Sequence, residues 1–344
     1  MNMRAMAITD YQKPLELITV SRPTPPTGFA LIQVDACGLC YSDVKTMRGR
    51  MRYSAGLALP FVAGHEVAGQ IVEINGESEL TVGTRVIVHH LWACHSCPAC
   101  RRGEEHLCYQ PRAWMGFTHT GGFQDYLVAP TENLLAIPDG IDITTAPALT
   151  CAMGTAYRAV AVRGEVRAGD VVVVVGLGGV GLHAALIAQA AGAEVVGVDL
   201  PAKLAAANVA GVNRVVSPDD ALEMVRSVTG GDAADVVIES SGVPSLLENA
   251  RQLTRSGGRI VAVGYQVGQL MTIMSDPLVL TEQSVIGSRY ASRSDFEHVI
   301  RLVSNGHVKP VIDDVLPLER LNEAVARLEA GEVTGRLVMD LRGR

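Results

Sequence analysis

The chain has 344 residues, of which 48% are hydrophobic and 19% charged, and it carries a net charge of −7. Single hydrophobic cores stop growing at about 250–300 residues, so this length predicts two domains. An acidic chain lacks the basic face of nucleic-acid binders, so nucleic acid is excluded as the expected partner. No apolar run reaches the ~18 residues that a membrane span needs, and no apolar leader precedes the first folded-looking segment. We therefore expect a cytoplasmic protein with no membrane partner.

The predicted elements change in character along the chain. Up to residue 151, short apolar segments such as ALIQVDACG, GQIVEI and DYLVAP alternate with Gly and Pro, which predicts an irregular β-rich domain. Over residues 152–286, apolar runs such as VVVVVG, EVVGVDL and DVVIES alternate with helix-like segments, which predicts a doubly wound parallel sheet. Over residues 287–344, two helix-like segments and the closing strand GRLVMDL predict a return to the first domain. The expected fold class is therefore α/β, with residues 1–151 and 287–344 in one domain and 152–286 in the other.

Four cysteines lie in one short run, CHSCPACRRGEEHLC, with the spacing C-x2-C-x2-C-x7-C. Four thiolates packed into so short a segment are typical of a closed, tetrahedral structural zinc site. A disulfide cluster and a zinc ribbon that grips nucleic acid are the alternatives. The odd count of seven cysteines disfavours the first, and the acidic charge disfavours the second. The predicted zinc lobe spans about residues 94–108, and its ligands are Cys94, Cys97, Cys100 and Cys108.

A glycine-rich segment follows the valine run directly and opens a helix-like stretch. The pattern G-x-G-x-x-G in this context predicts a dinucleotide site in which the helix N-terminus faces a pyrophosphate; a glycine turn without a ligand is the alternative. Asp199 ends the next predicted strand, where a carboxylate accepts hydrogen bonds from the adenosine ribose and repels a 2′-phosphate. No arginine follows over residues 200–203, so we predict NAD rather than NADP, with Lys203 either near the ribose or solvated. The residues of the predicted phosphate loop are Gly176, Leu177, Gly178, Gly179, Val180 and Gly181.

Three further segments carry potential metal ligands that are weak signals one by one. Cys40 lies in CYSD, His65 in GHEVAG and Cys151 in LTCAMGTAY. Cys37, three residues before Cys40, is interpreted as a small buried apolar residue rather than as a ligand. Together with the zinc lobe and the phosphate loop, and in this order, these segments resemble the zinc-dependent medium-chain dehydrogenase/reductase family, that is, the zinc alcohol dehydrogenases. The resemblance covers essentially the whole chain.

The resemblance implies a GroES-like catalytic domain, a Rossmann NAD-binding domain and two zinc ions per chain, one structural and one catalytic. It implies that Cys40, His65 and Cys151 hold the catalytic zinc. Two thiolates, one imidazole and an open fourth position are what catalytic zinc sites use. Asp43 and Glu66 would orient those ligands, and their alternative is to be ordinary surface charges.

Further roles also follow from the resemblance. Ser42 would accept the proton of the alcohol, and its alternative is a helix N-cap. Thr155 would pack near the nicotinamide, and Val263 and Gly264 would contact the carboxamide. Arg336 would reach the pyrophosphate, or it would form a structural ion pair.

Two departures from the family concern the proton path and the pocket. Lys45 stands where many relatives place a histidine, and a lysine shuttles protons only if its pKa is lowered. Tyr41 stands where relatives often carry His, Arg or Gly. By position, His90 should lie beside the catalytic zinc, in a pocket suited to a partly apolar substrate. The candidate wall residues are Tyr41, Met51, Leu91, Trp92 and Trp114.

The implied activity is the interconversion of a primary or secondary alcohol with its aldehyde or ketone, by hydride transfer to nicotinamide. A polyol or sugar-derivative dehydrogenase of the same family is the first alternative, although Cys151 as third ligand leans away from it. A zinc-free reductase of quinones or enones and a non-catalytic nucleotide-binding protein are the others. A homo-oligomer is expected, a tetramer rather than a dimer, with its seam at the sheet edge near LMTIMSD.

Overall fold

The computed structural model describes residues 2–343, which form seventeen strands and ten helices. The strands are β1 (Asn2–Ala7), β2 (Glu16–Ser21), β3 (Phe29–Leu39), β4 (Glu66–Asn75), β5 (Arg85–Val88), β6 (Leu91–Trp92), β7 (Ala113–Trp114), β8 (Tyr126–Pro130), β9 (Leu134–Ala136), β10 (Val171–Val175), β11 (Glu194–Val198), β12 (Arg214–Val216), β13 (Ala234–Glu239), β14 (Thr254–Ala262), β15 (Ser284–Gly287), β16 (Ile312–Pro317) and β17 (Arg336–Asp340). The helices are α1 (Tyr41–Met47), α2 (Pro98–Arg101), α3 (Cys151–Tyr157), α4 (Gly179–Ala190), α5 (Pro201–Val209), α6 (Ala221–Thr229), α7 (Leu246–Gln252), α8 (Ser275–Leu280), α9 (Arg293–Ser304) and α10 (Leu321–Glu329). A π-helical stretch, Arg158–Arg163, continues α3. None of the helices in this described range combines the length and the apolar character that crossing a membrane requires.

These elements divide into two compact units. The chain returns to the first unit at Ser292, five residues after the predicted boundary at 287. The reason lies in the parallel sheet, because β15 ends only at Gly287 and the amide of Ser288 still donates to the Ala262 carbonyl at 2.9 Å. A short later stretch, 306–311, also belongs to the second unit. The first unit runs to Cys151 and adds Ser292–Asn305 and the stretch from Ile312, and the second unit holds Ala152–Ala291 and Gly306–Val311.

A seven-stranded sheet organises the first unit, in the order β16-β17-β3-β4-β5-β9, with β8 paired to β3. Strand β3 is its centre, because it pairs antiparallel with β4, β8 and β17. The C-terminal strand β17 therefore completes a sheet that the N-terminal residues begin, with Leu337 opposite Leu39. Buried side chains from this sheet, such as Ile32 and Val34, build the core of the unit.

A six-stranded parallel sheet organises the second unit, in the order β12-β11-β10-β13-β14-β15. The predicted doubly wound sheet is therefore confirmed. Strand β10 consists of valines, and Val172, Val173 and Val174 are fully buried, as is typical of a central parallel strand covered on both faces. The strand order reverses at β10, so the crevice beyond the carboxyl ends of β10 and β13 is where such a sheet binds a ligand.

Candidate active site

The strand register of the first unit brings three predicted site residues together. Gly38 lies opposite Glu66 across β3 and β4, so Cys40 follows two residues later beside the start of β4. Strand β17 pairs with the other edge of β3 and begins at Arg336. A side chain at position 38 would not fit, because a Cβ on Gly38 would lie 2.3 Å from the Glu66 carboxylate. The pairing of three strands thus makes Cys40, Glu66 and Arg336 neighbours.

Asp43 ties two of the predicted zinc ligands together. It is fully buried in the first turn of α1, which rules out an ordinary surface charge. Its Oδ2 accepts the Cys40 amide at 3.0 Å, and its Oδ1 accepts the Gly64 amide at 3.2 Å and lies 2.8 Å from Nδ1 of His65. In the neutral imidazole this contact holds the proton on Nδ1, so Nε2 is the nitrogen available to a metal.

Cys40, His65, Glu66 and Cys151 gather so that one ligand atom from each lies within 4.8 Å of the others. Two thiols and one imidazole form the donor set of a catalytic zinc site, so these residues fit the ion. Contact with Cys151 holds the pKa of Cys40 well below its usual range, while the same contact raises the pKa of Cys151. Burial lowers the pKa of His65, but Asp43 outweighs it and the net shift is upward. Cys40 is therefore the more readily ionised of the two thiols.

Arg336 forms a buried ion pair with Glu66. Its Nη2 lies 2.9 Å from Oε1 of Glu66, and its Nε bonds both carboxylate oxygens at 3.1 and 3.0 Å. Nη2 also donates to the Cys40 sulfur at 3.5 Å. Burial raises the pKa of Glu66 to about 7, even though Arg336 opposes the shift. The structural ion pair, one of the two roles predicted for Arg336, is therefore present, and the residue is only 4% exposed.

Aromatic rings pack against His65. The ring centroid of Phe117 lies 4.7 Å from that of His65, and His90 lies 4.9 Å away on an edge-to-face approach. Trp114 stacks on His90 at 6.1 Å and meets Tyr53 edge-on at 5.3 Å. His90 therefore lies beside the candidate metal site, and Trp114 belongs to the same ring cluster.

Two of the five predicted pocket walls are buried side chains. These are Leu91 and Trp92, and the Trp92 ring centroid lies 4.5 Å from that of His119 and 5.9 Å from that of Phe29. Phe117 and Tyr53 belong to the ring cluster although no sequence pattern points to them. Isolated aromatic residues carry no ligand spacing, and only tertiary packing brings these two to the site.

Helix α1 carries the predicted proton acceptor and both departures from the family. Its N-cap is Cys40, where the chain is extended, so the N-cap alternative for Ser42 is wrong. Ser42 lies half-buried in the first turn, and Lys45 follows one turn later. The Lys45 ammonium lies 5.7 Å from the ring centroid of Tyr41, and burial lowers the pKa of Lys45, which is the direction that proton shuttling needs. Tyr41 is 47% exposed, so its ring is accessible from solvent as well as to Lys45.

The four lobe cysteines converge. The Cys97 sulfur lies 3.5 Å from that of Cys100 and 4.0 Å from that of Cys108, and the sulfurs of Cys94 and Cys100 are 3.9 Å apart. Sulfurs placed tetrahedrally at 2.3 Å from a zinc ion are about 3.8 Å apart, so the cluster fits zinc. These separations far exceed the roughly 2.05 Å of an S–S bond, which excludes the disulfide alternative. His95, with a φ of 55°, turns the chain between the first two cysteines.

The phosphate loop of the second unit joins β10 to α4. Gly176 has a φ of +87°, and a Cβ there would lie 2.9 Å from the Ser241 amide nitrogen. Gly181 packs so closely that its Cβ would lie 1.8 Å from the Gly176 carbonyl oxygen. Gly178 differs, because nothing lies within 4 Å of its Cβ position. Open space therefore faces the N-terminus of α4, where a dinucleotide pyrophosphate fits.

Asp199 lies against this loop, directly after β11. Its Oδ2 accepts the Leu177 amide at 2.6 Å, and its Oδ1 accepts the Leu200 amide at 2.7 Å. The Asp199 carboxylate is thus held at the carboxyl end of β11, where the adenosine ribose of a dinucleotide is expected. Four more predicted residues of this unit lie in helices: Gly179 and Val180 open α4, Lys203 lies in α5, and Thr155 is buried in α3.

A residue that sequence reasoning missed lies beside Val263 and Gly264. These two follow β14, and both amides donate to the main-chain carbonyl of Glu239, at 2.8 and 3.1 Å. Glu239 ends β13, and its fully buried carboxylate accepts the amides of Ser241 at 2.9 Å and Gly242 at 3.1 Å. In the segment DVVIES it reads as an ordinary strand-end glutamate, and only the sheet register reveals its neighbours.

Comparison with known proteins agrees with this geometry. The model of the alcohol dehydrogenase GroES-like domain matches residues 26–139, and that of the zinc-binding dehydrogenases matches residues 179–305. An NAD-dependent alcohol dehydrogenase of Sulfurisphaera tokodaii is 34% identical over 348 residues, which cover 98% of this chain and 99% of that one. A D-arabinose 1-dehydrogenase (NADP+) of Saccharolobus solfataricus is 28% identical, over 98% of this chain and 97% of that one.

A solved structure of an NAD-dependent alcohol dehydrogenase aligns with a TM-score of 0.90 at 30% identity, over 98% of this chain and 100% of that chain. The expected pairing of a GroES-like domain with a Rossmann domain is therefore confirmed. The identity holds along nearly the full length of both chains, and the two metal-ligand clusters and the phosphate loop lie within it. The chain belongs to the zinc-dependent medium-chain dehydrogenase/reductase family of oxidoreductases.

Proposed function

We propose that this protein is a zinc- and NAD-dependent alcohol dehydrogenase that interconverts a primary or secondary alcohol with its aldehyde or ketone. The observation that carries the proposal is the convergence of Cys40, His65 and Cys151, with Asp43 bonded to the imidazole. A non-catalytic nucleotide-binding protein would have no use for three convergent metal ligands and a carboxylate that orients one of them. A zinc-free reductase would have no use for them either.

The residues around this cluster have separable tasks. Cys40, His65 and Cys151 would hold the catalytic zinc, and the lobe cysteines would hold a second, structural one. Zinc at an open site supplies Lewis acidity, which makes an alcohol hydroxyl easier to ionise. Ser42, two residues after Cys40, would accept the proton of that hydroxyl. Lys45, one turn further along α1 and with its pKa lowered by burial, would pass the proton to solvent.

The second unit would bind NAD, whose nicotinamide accepts the hydride. Asp199 is held by the Leu177 amide, and a carboxylate there suits a ribose diol and repels a 2′-phosphate. This favours NAD over NADP, with Lys203 near the ribose. The amides of Val263 and Gly264 are engaged by Glu239, so their carbonyl oxygens are the groups we expect to meet the carboxamide. Thr155 would pack near the nicotinamide ring.

The ring cluster around His65 favours a medium-sized, partly apolar alcohol or ketone. Phe117, Trp114 and Tyr53 offer apolar faces, whereas a polyol needs several convergent hydrogen-bonding groups. A sugar derivative remains the second candidate, because one relative is a D-arabinose dehydrogenase. Relative rates on benzylic alcohols and on aldoses distinguish the two.

We also propose that the protein works in the cytoplasm as a homotetramer. Strand β15 is an edge of the parallel sheet, and apolar side chains near it are strongly exposed, among them Leu270, Val279 and Leu280. An open strand edge with exposed apolar neighbours is a surface suited to a second copy. The lobe cysteines are thiols rather than disulfides, as is typical of a reducing compartment. Light scattering measures the assembly, and the mass of a single chain would contradict a tetramer.

The test combines a zinc count with NAD-linked oxidation of primary, secondary, aromatic and polyol alcohols. We expect two zinc ions per chain in the purified enzyme. Cys40→Ser should lose one zinc and all activity. Cys37→Ser is the matched control, since Cys37 lies three residues away, is buried, and stands outside the ligand cluster; it should keep both. A zinc count near zero would favour a reductase, and two zincs without turnover would favour a binding protein.

A further inference from the structure

Glu239 is a buried carboxylate that the proposed reaction does not use. It is the last residue of β13, opposite Val175 of β10 and Ala262 of β14. It is fully buried at the carboxyl ends of three neighbouring strands, the edge where such a sheet binds its ligand. Among residues 2–343, the groups that lower the pKa of Glu239 are the hydrogen-bond donors of Ser241 and Gly242, and neither residue is charged. Burial outweighs them and raises the pKa of Glu239.

The carboxylate closes the turn that follows β13. Its Oε1 accepts the Ser241 amide at 2.9 Å and also the Ser241 hydroxyl. The Gly242 amide donates to Oε1 at 3.1 Å and to Oε2 at 3.3 Å. Gly242 has a φ of +71°, so the turn reverses sharply there. The side chain of Glu239 thus accepts the backbone amides of Ser241 and Gly242 and the Ser241 hydroxyl.

This turn packs directly against the phosphate loop. The Ser240 hydroxyl donates to the Gly176 carbonyl at 2.7 Å and to the Val175 carbonyl at 3.1 Å. A Cβ on Gly176 would meet the Ser241 nitrogen at 2.9 Å, so backbone meets backbone with no side chain between them. A shift of the turn would therefore be transmitted to the loop that is expected to hold the pyrophosphate.

The opposite side of the turn packs just as closely on the segment after β14. A Cβ on Gly264 would lie 2.2 Å from the Gly242 nitrogen, and one on Gly242 would lie 2.6 Å from the Tyr265 nitrogen. The main-chain carbonyl of Glu239 accepts the amides of Val263 and Gly264. The turn 240–242 therefore packs on both the phosphate loop and residues 263–264, the two segments that we expect to contact the pyrophosphate and the nicotinamide.

We propose that Glu239 is a positioning residue for NAD. The Glu239 carboxylate fixes the turn 240–242, and this turn sets the distance between the phosphate loop and residues 263–264 so that it matches the distance between the pyrophosphate and the nicotinamide. The inference rests on the proposed function, since it takes NAD as the ligand. A buried charge without a cationic partner opposes folding, as the raised pKa of Glu239 indicates. Such a group is expected where binding, rather than stability, depends on it.

The test is Glu239→Gln in the full-length, zinc-loaded enzyme, with NADH titrated by fluorescence. We expect the Kd for NADH to rise about tenfold, which corresponds to about 1.4 kcal/mol. The KM for NAD should rise more than kcat falls. The thermal midpoint without cofactor should stay unchanged or rise, because the amide removes a buried charge. A purely structural role predicts the reverse, a lower midpoint with unchanged NADH affinity.

Glu248→Gln is the matched control. The Glu248 carboxylate also accepts a backbone amide, that of Met274 at 3.0 Å, and pairs with Arg251, but both of these partners lie outside the turn 240–242 and the phosphate loop. Its loss should leave the NADH Kd unchanged. Glu239→Asp, which keeps the charge and shortens the reach, should also weaken NADH binding and serves if the glutamine variant does not fold. Wild-type binding matched by both Glu239 variants would overturn this inference alone, whereas no binding by the wild type would overturn the proposed function with it.

Discussion

Two glycines of the phosphate loop should respond in opposite ways to the same added methyl group. A Cβ on Gly181 would lie 1.8 Å from the Gly176 carbonyl oxygen and 2.4 Å from the Ser240 hydroxyl. The Gly176 oxygen belongs to the backbone and cannot rotate away as a side chain could. The loss of folding stability in Gly181→Ala should therefore lie near the upper end of the roughly 1–3 kcal/mol that overpacking costs. Alanine regains about 1 kcal/mol over glycine inside a helix, so the net loss is about 2 kcal/mol. For a domain of this size the thermal midpoint should fall by about 4–8 °C.

Gly178→Ala is the matched partner. Nothing lies within 4 Å of its Cβ position, and its φ of −73° suits alanine. An N-cap change from glycine to alanine costs at most about 1 kcal/mol, so the midpoint without cofactor should fall by no more than about 2–4 °C. The methyl group would instead occupy the space expected for the pyrophosphate, and the Kd for NADH should rise at least about tenfold. Thermal melts of both variants without cofactor measure the change in stability, and NADH titrations measure the change in cofactor affinity. A Gly181→Ala enzyme as stable as the wild type, or a Gly178→Ala enzyme that binds NADH normally, would refute the reasoning.

Three further predictions concern the metal sites. Asp43→Asn removes the charge that holds His65 and should lower zinc affinity about 10–100-fold, measured by competition with a chelator; unchanged affinity would contradict the orienting role. Cys100→Ser should remove one zinc per chain and expose the lobe to proteolysis, and a retained second zinc would show that the lobe is not its site. Arg336→Met leaves the buried Glu66 carboxylate without its ion-pair partner and should lower the free energy of unfolding, measured in urea, by about 3–5 kcal/mol. Adding Glu66→Gln should restore most of that loss, and a double variant no more stable than the single one would argue against the pair.

Local spacing made the zinc lobe and the phosphate loop predictable. The four lobe cysteines share one short segment, and the four glycines of the phosphate loop share a still shorter one, so the interval along the chain nearly determines the geometry. The other ligand set spans residues 40–151, and no spacing rule links its members. They could be predicted only through resemblance to a family, because it takes the pairing of β3 with β4 to bring Cys40 and His65 together and the tertiary fold to add Cys151.

The residues that sequence reasoning missed or misplaced owe their roles to tertiary neighbours. Glu239 gains its role from the register of β13 with the strands on either side. Phe117 joins the ring cluster through packing on His65 alone. The sequence offered Arg336 a pyrophosphate or a structural ion pair, and only the antiparallel pairing of β17 with β3 identifies Glu66 as the ion-pair partner.

The two ligand clusters differ in the length of chain that an ion would cross-link. The lobe closes only the short loop from Cys94 to Cys108, whereas Cys40 and Cys151 bracket most of the first unit. The entropy of loop closure grows with the logarithm of length, and the longer loop is nearly three doublings of the shorter one. The longer cross-link would therefore restrict the unfolded chain by roughly 1.8 kcal/mol more. An ion at Cys40, His65 and Cys151 would act as a staple across most of the catalytic unit, while the lobe ion would organise little beyond its own segment.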